Sequence, residues 1–160
     1  MIAITQAELL GIVVRLISAT VGTLGFALIF KVLPSRLPYA MLGGFVTGLV
    51  YELTLVITPE IAVASFAAAL VMALYSEIMA RVIHAPTILF LLTGAVPIVP
   101  GNGLYQSIRS LLTNDMEKFS VNISSTLETL LGITVGLGVA SIAVGIVFQL
   151  IKTVNAKRIE

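Results

Sequence analysis

Long apolar runs separated by short polar junctions dominate the chain. A helix needs about 20 mostly apolar residues to cross roughly 30 Å of hydrocarbon. Five segments meet or approach that length: 9–30, 39–57, 61–80, 86–112 and 130–151. The pattern predicts an all-α, polytopic integral membrane protein. Residues 1–160 form a single transmembrane domain with about five transmembrane helices, the fourth broken at a Pro/Gly stretch, 97–103. Residues 1–8 carry no Lys or Arg, and Arg15 interrupts the run that follows, so the first segment reads as a retained helix and not a cleaved leader.

The junctions carry turn chemistry and charge. Lys31 to Pro38 holds two prolines with Lys31 and Arg36. Thr58-Pro59-Glu60 is a tight turn. Arg81 to Pro86 is short and basic, with His84. Thr113 to Lys118 holds Asp115 and Glu117 against Lys118. Basic loops stay in the cytoplasm. With Lys152, Lys157 and Arg158 near the C-terminus, the alternation predicts an N-terminus outside and a C-terminus inside. An odd number of crossings suits one half of an inverted pair. Residues 119–129 are polar just before an apolar span, and read as a helical extension beyond the membrane or as the wall of an aqueous vestibule.

Composition agrees with a lipid solvent. The chain is 58% hydrophobic and 11% charged, whereas soluble domains run about 45–50% and about 25%. A net charge of +1 without a basic stretch gives no footing for nucleic acid. With no cysteine and one histidine, thiolate chemistry and a Cys- or His-based metal site are excluded. No nucleotide-binding motif and no Gly-x-Ser-x-Gly elbow occurs, and Asp115 is the only aspartate. The expectation is a non-enzyme without cofactor or metal.

The most informative stretch is Gly94-Ala95-Val96-Pro97-Ile98-Val99-Pro100-Gly101-Asn102-Gly103. Proline removes a donor and clashes with the preceding turn, so the helix must break here. Pro86 to Val96 rises roughly 16 Å, which puts the break near mid-membrane. Broken backbone at that depth needs protein or a water-filled cavity around it. A second half-helix is expected after Gly101, with Asn102 as N-cap. Asn102, Gln106, Arg109 and Thr113 form its polar stripe. Its N-terminus, with donors from Tyr105 and Arg109, suits an anionic group such as a carboxylate. The candidate substrate-binding residues are therefore Pro97, Pro100, Gly101, Asn102, Tyr105, Gln106 and Arg109. The plainer reading is a proline kink that only shapes packing.

This stretch also resembles a family. Pro97-Ile98-Val99-Pro100-Gly101, then Tyr105, then Asn114-Asp115, is similar to the "P-L-V-P-G … Y … G-D" signature of the threonine/serine exporter family, with Ile98 where Leu is more usual and Asn114 in place of Gly. Ser76-Glu77-Ile78-Met79-Ala80-Arg81 followed by Pro86 resembles its "E-x-x-A-R … P" stretch. Residues 26–34 resemble its first helix and basic loop, and Gly43-Gly44 its glycine-rich second helix. The resemblance implies the smaller, C-terminal-type half of an exporter in the bacterial cytoplasmic (inner) membrane, working with a second membrane subunit of the same family. The implied substrates are threonine and serine, or small carboxylates such as succinate.

Charges inside spans are costly and usually face a cavity or a partner. Glu52, Glu77 and Arg81 are the candidate coupling or ion-pair residues. Glu77 and Arg81 also fit a plain ion pair on a helix surface. Arg15 either snorkels to the outer interface or faces a partner helix. Gly44/Gly48, Gly132/Gly136 and Ser18/Gly22 are small-xxx-small pairs that let helices approach closely. The leading reading is an exporter subunit. The alternatives are an assembly subunit whose partner holds the substrate path, and a homo-oligomeric channel.

Overall fold

The computed structural model describes residues 6–156. The elements are α1 (Gln6–Ile29), a 3-10 turn (Pro34–Arg36), α2 (Leu37–Ile57), α3 (Ile61–Val82), α4 (Thr87–Gly94), α5 (Gly101–Leu112) and α6 (Met116–Ala156). Among the described residues there is no strand, and the protein is an all-α polytopic membrane protein. Among the described residues, four helical stretches are long and apolar enough to cross a membrane: Glu8–Ile29, Pro34–Ile57, Ile61–Val82 and Met116–Val147. Leu9, Ile17, Val21, Leu53, Ile78 and Leu131 are exposed around them, as a lipid solvent requires. Lys157 and Arg158, two of the three basic residues used for the C-terminal orientation, lie outside the described residues.

Two segments differ from the sequence expectation. The break runs from Ala95 to Pro100, earlier than 97–103, because Pro97 ends the helical ladder upstream of itself. Gly101–Gly103 instead form the first turn of α5, with Pro100 at the N-cap, so Asn102 does not cap it. The helix that carries the last span begins well before residue 130. Helix α6 starts at Met116 and runs unbroken through the polar stretch 119–129.

Small residues set the topology. Helices α1 and α2 run antiparallel. Thr23 lies against Gly44, and Leu16 and Ala19 lie against Gly48. On α6, Gly132 faces Ala62, Ser65 and Phe66, and Gly136 faces Phe66, Ala69 and Leu70. Positions therefore rise together along α3 and α6, so these two helices are parallel, and the segment between them returns the chain to the side where α3 began. The core is small as well: Ala68, Ala69 and Met72 pack with Ile98 from the break. Buried Thr23, Thr47, Ser76 and Thr93 satisfy their hydroxyls by donating to the carbonyl four residues back.

Three helices end alike. Lys31, His84 and Asn114 have positive φ. Val32, Ala85 and Asp115 then donate to the carbonyls of Ala27, Ala80 and Ser110, five residues back. This left-handed cap favours Gly or Asn, which accounts for Asn114 standing where the resembling signature has Gly.

A side chain at Gly132 would strike the Ala62 carbonyl, and one at Gly136 would lie 2.6 Å from the Phe66 carbonyl. Backbone cannot step aside, so Gly136→Ala is expected to lower the thermal midpoint in detergent by several degrees. Gly138→Ala, where nothing lies within 4 Å, is expected to hold or raise it through helix propensity, worth about 0.8–1 kcal/mol. Differential scanning fluorimetry of the two variants checks this.

Candidate functional site

The α1–α2 register sets a charged contact. One rung beyond Gly48, Arg15 of α1 meets Glu52 of α2. The guanidinium donates twice, Nε to Oε1 at 2.6 Å and an Nη to Oε2 at 2.9 Å. This fork-on-carboxylate geometry is the strong form of an ion pair. The Glu52 side chain is 10% exposed and that of Arg15 60%, so the carboxylate is fixed inside and the guanidinium reaches outward. Glu52 stands five residues before the end of α2, roughly 8 Å of rise. Of the two alternatives for Arg15, the structure shows the second: it faces a partner helix, α2, and pairs with a residue 37 positions away.

The pair lines a cavity of about 460 Å³. Its walls are Ser18, Ala19 and Gly22 from α1, Gly48 and Tyr51 from α2, and Val96 and Pro97 from the break. Small residues make the room: Gly22 faces Val96, and Gly48 faces Pro97. The structure thus brings together Arg15, Glu52 and Pro97, which the sequence singled out separately, and adds Tyr51.

The remaining candidates lie elsewhere. Glu77 and Arg81 form an ion pair within α3 at 2.9 Å, partly exposed. Glu77 also lines a second cavity of about 400 Å³ with Thr87 of α4 and Ser141 of α6, toward the other end of α3. Pro100 is half-buried at the start of α5, next to exposed Gly101. Asn102, Tyr105 and Arg109 are exposed on α5 and Gln106 is half-buried. Among the described residues α5 packs only against α6. The two run antiparallel, with Gly103 facing Thr126 and the Asn122 amide donating to Ser110 Oγ at 3.4 Å. The polar stretch 119–129 is therefore a helix-packing surface in part. Gln106 and Arg109 border a polar pocket of about 250 Å³ with Asp115 and Lys118. Asp115 caps α6, accepting from the Lys118 backbone N–H at 3.2 Å and from its Nζ at 2.7 Å. Those bonds, the side-chain one first, hold the Asp115 carboxyl below its usual range.

Four long apolar helices, with a broken helix packed among them and an ion pair beside the break, define a polytopic membrane protein. The family model described as Threonine/Serine exporter, ThrE, matches residues 15–151. The chain belongs to that family and is an exporter-type transport protein. No curated protein and no solved structure matches it.

Two outcomes follow from the geometry. Arg15→Met leaves Glu52 buried without its donor and is expected to cost about 1–3 kcal/mol. Arg15→Met with Glu52→Met removes both charges and is expected to recover most of that loss, which a double-mutant cycle on unfolding in detergent measures. Asp115 has a depressed folded pKa, so its contribution is present above the unfolded value of about 3.9 and is lost as pH falls through the folded one. The protection of the amides at 116–119, taken as intrinsic over observed exchange rate, is expected to fall on acidification below the usual carboxylate range, and an Asp115→Ala variant is expected to show the lower protection at every pH.

Proposed function

We propose that the chain is a membrane subunit of a secondary exporter that carries small amino acids such as threonine and serine, or small carboxylates, out of a bacterial cell, with a second membrane subunit of the same family completing the path. The observation that carries this reading is the Arg15–Glu52 pair in a cavity walled by the helix break. Two charges inside an apolar span are expensive to keep unless they serve a pathway, and broken backbone suits the wall of a polar cavity. The family match supports export.

The cavity opens sideways along α1, where Val14, Arg15, Ile17 and Ser18 are exposed. A charged rim facing outward within a span favours a second subunit at that face over bare lipid. The parallel run of α3 and α6 supports five crossings, with the fourth made by α4 and α5 in series, the N-terminus outside and the C-terminus cytoplasmic. Glu77, paired with Arg81 near the end of α3, carries the coupling, while Glu52 is engaged with Arg15. Asn102, Tyr105, Gln106 and Arg109 line an outer vestibule, so they act after the central site.

Export of labelled threonine, serine and succinate tests the reading in cells expressing the chain alone, then with a candidate second subunit. Export is expected only with both. Glu52→Gln is expected to cut it at least about tenfold, matching the ~1.5–3 kcal/mol of a charge-assisted hydrogen bond, and Arg109→Ala to cut it less. Export by the chain alone would favour a homo-oligomeric carrier. Full export by a pair carrying Glu52→Gln would move the path to the partner and leave this chain an assembly subunit.

A further inference from the structure

We infer that the Arg15–Glu52 pair is the recognition site for a zwitterion: the carboxylate of an amino acid takes the place of Glu52 on the Arg15 guanidinium, while its ammonium takes the place of Arg15 on the Glu52 carboxylate. The inference rests on the transport reading above and chooses among its substrates.

The charge inventory of the cavity comes first. Among the described residues that line it, Arg15 and Glu52 are the charged ones, one of each sign. A dicarboxylate entering there would find one cation and would set its second carboxylate against Glu52. An amine without a carboxylate would meet the reverse mismatch at Arg15. An amino acid brings one charge of each sign and leaves none unmatched.

Energetics of the empty site point the same way. Uncompensated charge in a low-dielectric interior is strongly unfavourable. With the cavity empty, the bidentate contact at 2.6 and 2.9 Å neutralises both groups. With a zwitterion bound, each group exchanges one partner for another of the same charge. The site is neutral before and after, so a carrier that must pass between the two membrane faces both empty and loaded meets no large difference in charge burial.

Access is ordered. Arg15 is 60% exposed and Glu52 10%. The substrate carboxylate docks first on the outward guanidinium, and the ammonium then reaches the inner carboxylate. The cavity volume of about 460 Å³ lies within the range of small-molecule pockets. Ser18 and Tyr51, two hydroxyl-bearing residues, are among those that line it. The Glu77–Arg81 pair lacks these properties: both its members sit on one helix, i to i+4, and both are partly exposed, so opening it uncovers no buried charge.

The test uses membrane vesicles from cells that carry the chain at its own locus, with labelled threonine as the transported probe. Competitors are serine, 3-hydroxybutyrate (threonine without its ammonium), 1-amino-2-propanol (threonine without its carboxylate) and succinate. Serine is expected to compete at concentrations near those of threonine, and the other three at least a hundredfold more weakly. In Glu52→Gln the preference for threonine over 3-hydroxybutyrate is expected to fall at least tenfold, a change in selectivity that loss of packing alone does not produce. Arg15→Lys keeps the charge and the fold but loses the fork, and is expected to raise the KM for threonine about tenfold with little change in maximal rate. Equal competition by succinate or 3-hydroxybutyrate, or an unchanged preference in Glu52→Gln with an unchanged KM in Arg15→Lys, would overturn the zwitterion site while leaving export intact. Threonine efflux that persists undiminished when the chain is deleted would instead overturn the transport reading, and this inference with it.

Discussion

Within hydrocarbon, helices gain nothing by hiding apolar surface from one another, so they hold together only where their backbones come close enough for tight packing and polar contacts. Glycines supply that closeness here. Gly44 and Gly48 admit Thr23, Leu16 and Ala19 of α1, and Gly132 and Gly136 lie on the backbone of α3. The first contact sets the register that places Arg15 opposite Glu52. The second fixes α6 parallel to α3, which obliges the chain between them to turn back through the bundle. The site and the topology thus depend on the same kind of contact.

The break between α4 and α5 follows from that return. Pro97 and Pro100 stop the ladder, and Ile98 anchors the break among Ala68, Ala69 and Met72. Val96 and Pro97 then present themselves to the cavity beside the ion pair. A continuous helix would fill this space with its own side chains. The broken one leaves room next to two charges that already neutralise each other, an arrangement suited to a solute that must be bound and then released.

Much of this was legible in the sequence. Hydropathy alone marks the four long helices, and the two prolines mark the break. Its boundaries were less so, because Pro97 acts on the turn before it, while Gly101 to Gly103 join α5 once α6 lies alongside. The start of α6 was hidden by its polarity: Asn122 and Thr126 look like residues meant for water, yet they face Ser110 and Gly103 across a helix contact. Both charges of the candidate site stood out as intramembrane charges, but their pairing did not, since they lie 37 residues apart. The signal was present in a combination: GxxxG at Gly44 and Gly48 sets a close antiparallel contact, and Glu52 is the next position, i+4, on that face. Tyr105 and Arg109 follow the break in sequence, and α5 places them along α6.

The central claim is that the space beside Arg15, Glu52 and Pro97 is a solute-filled cavity in the working protein. Because the chain has no cysteine, one introduced at Ser18, on the cavity wall, is an unambiguous reporter. The most direct measurement is the labelling rate of Ser18→Cys by a membrane-impermeant thiol reagent in native vesicles of either orientation, with and without threonine. The account predicts labelling from an aqueous face that slows several-fold when threonine is present. Labelling from neither face, or at a rate that threonine leaves unchanged, would contradict it.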